Sequence, residues 1–115
     1  MKYILLIYGN ETEMATHSAE QMGAMLKAYG VFTESIRQSG HFLGGERLQR
    51  MSAATTVRIR DGKTVTTDGP FAETKEQLGG YYLIEAKDID DAIAIAARIP
   101  SARFGSVEVR PIHAM

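Results

Sequence analysis

Residues 3–8 read YILLIY, a stretch whose only polar side-chain groups are two tyrosine hydroxyls. Alternate side chains of a β-strand point to opposite faces of its sheet, so this stretch places apolar groups on both faces. A strand of this kind is normally covered on both sides. In so short a chain, helices can cover one face, and we expect a second copy of the chain to cover the other.

A long helix is predicted to follow, from residue 18 to residue 39. Ser18 and Gln21 form an S-x-x-Q capping box at its start, and Gly40 supplies the left-handed residue that ends it. Between these ends, apolar side chains recur at helical spacing and predict one buried stripe. The stripe consists of Met22, Met25, Leu26, Tyr29, Phe32, Thr33 and Ile36.

The rest of the chain alternates strands with one more helix. Alternating or apolar runs predict strands at residues 41–44, 55–60, 63–67, 80–86 and 106–112. The second and third of these form a hairpin, because Asp61-Gly62 tolerates the positive φ of a two-residue turn. Asp88 caps a helix over residues 89–99, and Pro100 ends it. The predicted buried side of this helix consists of Ile89, Ala92, Ile93 and Ala96.

This order of elements predicts an α+β fold. It matches a ferredoxin-like βαββαβ plan with an inserted β-hairpin, in which both helices pack on one face of an antiparallel sheet. The other face would be apolar and exposed in a monomer, which small soluble proteins avoid. We therefore expect residues 1–115 to form a single domain, and two copies to form a homodimer by packing their sheets together as a dimeric α+β barrel.

Composition argues against several classes of function. The chain has 13 basic and 14 acidic residues and a formal net charge of −1, so no overall field recruits nucleic acid or a membrane surface. It has no cysteine, which excludes disulfides and a thiolate nucleophile. The apolar run before Gly9 is too short for a signal peptide or a membrane span, so we expect a cytoplasmic protein. The histidines show no metal-binding spacing, and we expect no metal and no cofactor.

The longest polar connection, residues 68–80, reads DGPFAETKEQLGG and lies between two predicted strands. Polar loops of this kind on a rigid scaffold often carry binding or catalytic groups. The carboxylate of Asp68 can either cap the following Gly-Pro turn or act as an acid or base in a cavity. Glu73 and Lys75 either form a solvated turn or fold over the sheet beside Asp68. Asp68 and Glu73 are therefore candidate catalytic residues, and Lys75 is a candidate ligand-binding residue.

Three further residues belong to the candidate ligand site. Glu46 follows two glycines that let it approach a ligand, Tyr8 ends the first strand, and Tyr82 faces away from Tyr81 in the strand of residues 80–86. A buried tyrosine usually needs a hydrogen-bond partner for its hydroxyl, and that partner is most often backbone or water. Glu46, Tyr8 and Tyr82 are therefore predicted either to bind a ligand or to serve as packing and surface residues.

Four stretches of the chain resemble the YCII-related family and, within it, the branch named after the Asp-Gly-Pro-Phe (DGPF) motif. They are MKYILLIYG at 1–9, GHFLGGE at 40–46, DGPFAETKEQLGGYYLIE at 68–85 and GSVEVRPI at 105–112. The resemblance extends over essentially the whole chain. It implies a dimeric α+β barrel and a bacterial protein often encoded beside sigma factors of the extracytoplasmic-function type. It implies no established activity for this branch.

Some members of the wider family look like lyases or dehalogenases that use a His-Asp pair, with the histidine in the first helix. The helix predicted here contains no histidine, and Ala28 and Tyr29 stand about where one would be sought. Two functions follow as hypotheses. The first is a cofactor-independent enzyme with lyase- or isomerase-like acid–base chemistry on a small polar organic molecule. The second is a non-catalytic dimer that binds a small molecule or acts with an extracytoplasmic-function sigma factor.

Overall fold

The computed structural model describes residues 1–114 as an α+β fold of antiparallel sheets and helices. Two short 3-10 turns cover Met51–Ala53 and Pro100–Arg103. In chain order the strands and helices are β1 (Lys2–Gly9), α1 (Glu11–Met14), α2 (Ala19–Gln38), β2 (Phe42–Arg47), β3 (Thr55–Arg60), β4 (Lys63–Asp68), β5 (Gln77–Glu85), α3 (Ile89–Ala96) and β6 (Ser106–Pro111).

The main sheet has four strands in the order β2-β5-β1-β6, and every neighbouring pair is antiparallel. The apolar strand β1 lies in the interior of this sheet, between β5 and β6. The inserted hairpin of β3 and β4 forms a separate two-stranded sheet. The predicted insertion of a hairpin into the middle connection, between β2 and β5, is therefore confirmed.

Helix α2 begins and ends as its sequence predicts. The Ser18 hydroxyl accepts a hydrogen bond from the Gln21 backbone N–H at 3.1 Å, and the Ser18 N–H donates to the Gln21 side chain at 2.8 Å. Gly40 follows the helix with a φ of +80°, a conformation that glycine adopts without steric cost. Gly40 thereby ends α2 just before β2 begins at Phe42.

The hydrophobic core lies between the main sheet and the two longer helices. From the sheet it contains the side chains that point to one face of β1 and β5, and from the helices it contains residues of α2 and α3. Each fully buried large apolar side chain contributes roughly 1.5–3 kcal/mol. The buried set is Tyr3, Leu5, Ile7, Phe32, Ile36, Tyr82, Ile84, Ala86, Ala92, Ile95, Ala96 and Ile99.

The prediction of which residues α3 buries was wrong at two of its four positions. Ala92 and Ala96 are buried as expected, but Ile89 and Ile93 are 43% and 51% exposed. Ile95 lies in the core instead. The buried side of α3 is thus rotated about the helix axis relative to the predicted one, and it carries Ala92, Ile95 and Ala96.

The β3–β4 hairpin, which we call the arm (residues 55–68), packs mainly against itself. Its turn uses Asp61 and Gly62 at φ values of 51° and 73°, as predicted. The apolar side chains of Val57 and Ile59 are 59% and 60% exposed. A two-stranded hairpin without further packing is marginally stable in water. The arm therefore lacks cover within its own chain.

The shape of the chain reflects this arm. The radius of gyration is 16.1 Å, against about 13 Å for a folded domain of this length. The accessible surface is 8241 Å², whereas a monomer of 12.6 kDa typically exposes about 6,200 Å². Each chain thus exposes roughly 2,000 Å² more than a self-contained monomer would.

Candidate functional site

The face of the main sheet that points away from α2 and α3 carries apolar, aromatic and charged side chains. We call it the open face. Because Tyr3, Leu5 and Ile7 of β1 point into the core, the alternate residues of the strand must point to the other side. Cross-strand register adds side chains from β5 to the same side. The apolar and aromatic members are Ile4, Leu6, Tyr8, Tyr81 and Leu83, all of which are half-buried.

One row of side chains crosses all four strands of the open face. Glu46 pairs with Tyr81, Tyr81 with Leu6, and Leu6 with Glu108. Strands lie about 4.8 Å apart, so the backbones of the two glutamates are separated by roughly 14 Å. An aromatic and an aliphatic residue lie between them. This spacing is too long for the two carboxylates to act on one bond, and it suits the two ends of a bound molecule.

The two glutamates differ in their electrostatic surroundings. Glu108 forms an ion pair with Arg110, which lies opposite Ile4 on the same face. Within residues 1–114, Glu46 takes part in no ion pair. The two carboxylates at the ends of the row therefore differ in their ionic partners.

The C-terminal end of the polar loop (residues 68–80) lies beside the open face. The Ser106 hydroxyl donates a hydrogen bond to the Glu76 carboxylate at 2.7 Å, and Ser106 pairs with Tyr8 across β6 and β1. The Gln77 side chain in turn accepts a hydrogen bond from the Glu11 backbone N–H at 3.0 Å. The loop is thereby anchored beside Tyr8, and Glu76 joins the polar groups at this end of the face.

The residues at the start of the loop lie elsewhere. Asp68 is the last residue of the arm, and it is exposed, as are Glu73 and Lys75. The turn after Asp68 is held by Gly69, which has a φ of +93° and whose N–H donates to the Ala54 carbonyl at 2.7 Å. In a single chain these three predicted site residues are solvated.

Tyr82 lies on the core side of the sheet, separated by the sheet itself from Tyr8 and Glu46. Its ring packs edge-on against Phe32 at 5.3 Å and against Phe42 at 6.3 Å between ring centroids. Its hydroxyl lies 2.6 Å from the Thr33 hydroxyl. Tyr82 therefore has the packing role that was one of its two predicted roles, while Tyr81 occupies the open face.

A polar cluster that the sequence did not reveal joins the end of α2 to the start of α3. The Ser39 hydroxyl lies 2.6 Å from Nδ1 of His41, and Nε2 of His41 lies 3.4 Å from the Asp91 carboxylate. The Asp91 carboxylate also accepts the Lys87 backbone N–H at 2.9 Å. That hydrogen bond, with a smaller contribution from His41, holds the pKa of Asp91 below its usual range.

The Ser39, His41 and Asp91 side chains follow the order of a hydrolase triad, but the surroundings lack its other parts. The backbone N–H groups of Gly40 and His41 donate to carbonyls of α2, so neither is free to stabilise an oxyanion. Two surface grooves, one beside α2 and one formed by the residues after Glu46, do not include these side chains either. The cluster is best explained as a structural contact between the end of α2 and the start of α3. No local spacing could have revealed it, because His41 and Asp91 are far apart in the chain.

These two grooves lie outside the open face. One, of about 890 Å³, runs between α2 and the segment after α3, and its charged lining residues include Arg98 and Arg103. Arg98 donates to the Ser35 hydroxyl and its guanidinium lies 5.6 Å from the Phe32 ring centroid, so it is held in place by its own chain. A smaller groove of about 540 Å³ is formed by residues that follow Glu46. Neither groove is lined by a residue of the predicted site.

Two further findings concern metal ions and membranes. Among residues 1–114, no group of three or more histidine and acidic side chains is arranged to hold a metal ion. In the same part of the chain, no helix has the length and apolar character needed to cross a membrane.

Together the antiparallel sheets, the helices on one side and the polar row on the other define an α+β protein with one uncovered sheet face. Residues 1–115 match the family described as the YCII-related domain, and the chain belongs to that family. It is also 36% identical over 114 residues to an uncharacterized protein of Rhizobium meliloti (strain 1021), with 97% of this chain and 92% of that protein covered. The relative's name assigns no activity.

Proposed function

We propose that the protein is a homodimeric enzyme with lyase- or isomerase-like acid–base chemistry on a small polar organic molecule, without a cofactor. In this proposal each chain has a ferredoxin-like topology, and two open faces enclose the site as a dimeric α+β barrel. The observation that carries the proposal is the row of Glu46, Tyr81, Leu6 and Glu108 across the face that the helices leave uncovered.

The surface area supports a dimer of this kind. The excess of about 2,000 Å² per chain would give a total buried area of roughly 4,000 Å² if both copies bury it. Obligate homodimer interfaces commonly bury roughly 2,000–5,000 Å² in total. The apolar centre of the open face, with Ile4, Leu6 and Leu83, matches the apolar core of such interfaces.

The proposed chemistry depends on the second chain excluding water from the site. A carboxylate that is taken out of water becomes a stronger base, because burial disfavours its charged form. Glu46 then abstracts a proton from the bound molecule, and the Tyr8 and Tyr81 hydroxyls orient its polar groups. The Glu108–Arg110 pair contacts the far end of the molecule. Asp68, Glu73 and Lys75 stay candidate site residues only if a second chain brings them to this face.

Deuterium exchange tests the proposal through its first chemical step, the abstraction of a proton from carbon. The protein is incubated in D2O with a panel of small oxo and hydroxy carboxylic acids, and proton NMR follows the loss of C–H signals. We expect at least one compound to exchange, and Glu46→Gln to slow the exchange by about 100-fold or more. Glu20→Gln, on the exposed side of α2, is the matched control and should leave the rate unchanged. Absence of exchange across the panel, or equal rates for the two variants, would contradict the proposal.

A second function is favoured by the exposure of Asp68 and Glu73. Two exposed acids, one at the end of the arm and one on the loop that follows it, suit a non-catalytic dimer that binds a small molecule or acts with an extracytoplasmic-function sigma factor, the partner that the family resemblance implies. Titration of a purified sigma factor of this class into the labelled protein tests it. Saturable binding that Asp68→Asn weakens would support this function, and the absence of binding together with catalysed exchange would remove it.

A further inference from the structure

We propose that the two copies of the dimer exchange arms: the arm of each chain packs through one of its faces on the open face of the other. This inference rests on the proposed dimer and adds to it where the arm lies and which residue it delivers. In consequence each site is built from two chains, and Asp68 of one chain completes the site of its partner.

The two faces of the arm differ sharply. Val57 pairs with Thr66 and Ile59 with Thr64, while Thr55 pairs with Asp68, so these six residues share one face. Asp68, at the base, is the only charged residue among them. We call this the apolar face of the arm. A face of β-branched residues with almost no charge is suited to packing on another apolar surface.

The opposite face of the arm is cationic. Arg58 pairs with Val65 and Arg60 with Lys63, so three cations share this side. Burial of that face would require three charges to leave water, which is costly without partners. The arm is therefore expected to dock with its apolar face inward and its cationic face in solvent. The difference between the two faces therefore determines the orientation of a docked arm.

A second copy is the occupant that fits both exposed surfaces. Each chain has one uncovered arm and one uncovered sheet face, so a twofold dimer satisfies both at once by an isologous exchange. The excess of about 2,000 Å² per chain is larger than a standard interface requires from one partner, which is about 800 Å². A contact through the sheet alone leaves Val57 and Ile59 in water, whereas arm exchange also covers them.

The exchange also accounts for the position of Asp68. In a single chain this carboxylate is solvated at the base of the arm, on the same face as Val57 and Ile59. If that face lies on a second copy, Asp68 is carried to the edge of the partner's open face. It would there supply an acid beside a site that already contains Glu46 and Glu76. The predicted role of Asp68 then depends on the partner.

Two variants on opposite faces of the arm test the inference. Ile59→Asp places a charge on the apolar face, and Val65→Asp places the same charge on the cationic face of the same hairpin. Sedimentation equilibrium should show that Ile59→Asp raises the dimer dissociation constant by about 100-fold or more, because a buried unpaired carboxylate opposes docking. Val65→Asp should change it by less than about threefold. Equal dissociation constants for both variants and the unaltered protein would overturn arm exchange while leaving the dimer intact.

Crosslinking provides a readout that does not depend on the stability of a variant. A photoreactive benzoylphenylalanine at position 57 is activated in dimers mixed from isotopically light and heavy chains. Arm exchange predicts mixed-isotope crosslinks to peptides of β1 or β5. Crosslinks within one chain, crosslinks to α2 or α3, or no crosslink from a protein that sediments as a dimer would overturn the inference. A protein that sediments as a monomer would overturn the proposed dimer as well.

Discussion

The hydroxyl of Tyr82, in β5, lies 2.6 Å from the hydroxyl of Thr33, in the C-terminal half of α2. This hydrogen bond joins the centre of the sheet to the long helix through the core, where Tyr82 is 8% exposed. Either hydroxyl can donate, so each satisfies the other. The bond explains how a tyrosine is accommodated in an apolar core, and it indicates that Tyr82 contributes to the stability of the folded chain.

Removal of the Tyr82 hydroxyl should therefore destabilise the protein without affecting a ligand site. We expect Tyr82→Phe to lower the free energy of unfolding by about 1 kcal/mol, because the Thr33 hydroxyl is left with one partner fewer. Denaturant unfolding at fixed protein concentration measures the change. Tyr81→Phe, one residue away on the open face, is the control and should change stability less. If Tyr82→Phe leaves stability unchanged but abolishes catalysis, Tyr82 binds a ligand after all.

Gly45 of β2 should tolerate no side chain, whereas its neighbour Gly44 should. A Cβ atom on Gly45 would lie 2.8 Å from the Tyr81 carbonyl oxygen and 2.9 Å from the Tyr82 ring. On Gly44 the nearest atom, the Leu83 methyl, would be 4.0 Å away. We expect Gly45→Ala to cost about 2 kcal/mol through overpacking, with a smaller change for Gly44→Ala. Thermal unfolding of the two variants compares them, and equal destabilisation would contradict the close approach.

Acid should remove a stabilising contribution of Asp91. Its pKa is lowered in the folded protein, first by the hydrogen bond from the Lys87 N–H and then by His41. The folded state therefore binds this proton less readily than the unfolded state does. The contribution is fully present above the unfolded pKa, near 3.9, and is lost as the pH falls through the lower folded value.

The variant Asp91→Asn should consequently be less stable than the unaltered protein at about pH 7, and the difference should shrink at about pH 3. Asp90→Asn, at the neighbouring exposed position, is the control and should show a smaller pH dependence. Denaturant unfolding at both pH values measures the differences. A gap between Asp91→Asn and the unaltered protein that widens in acid would contradict the assigned sign.

Much of the fold could be predicted because the relevant signals are local. The capping box of Ser18 and Gln21, the left-handed Gly40 and the Asp61-Gly62 turn each act within a few residues, and all are observed. The buried side of α3 could not be predicted, because Ile89, Ile93 and Ile95 are equally apolar and only the packing of the folded chain decides which of them are buried.

The site was less accessible to sequence reasoning for the same physical reason. Glu46 and Tyr8 were predicted, and the structure places both on the open face. Glu108 and Arg110 were missed, because only the register between β1 and β6 aligns them with Leu6 and Ile4. The alternation of side chains along β5 predicted that Tyr81 and Tyr82 lie on opposite faces of the sheet. It did not show which of the two faces the helices would cover.

Sedimentation equilibrium of the unaltered chain and of Leu6→Asp tests the central claim, a dimer closed through the open face, most directly. Leu6 lies in the middle of the row between Tyr81 and Glu108. We predict that the unaltered protein sediments at twice its chain mass of 12.6 kDa at micromolar concentration. Leu6→Asp should sediment as a monomer, because a buried carboxylate without a partner opposes association. An unaltered protein that remains at 12.6 kDa under these conditions would contradict the account.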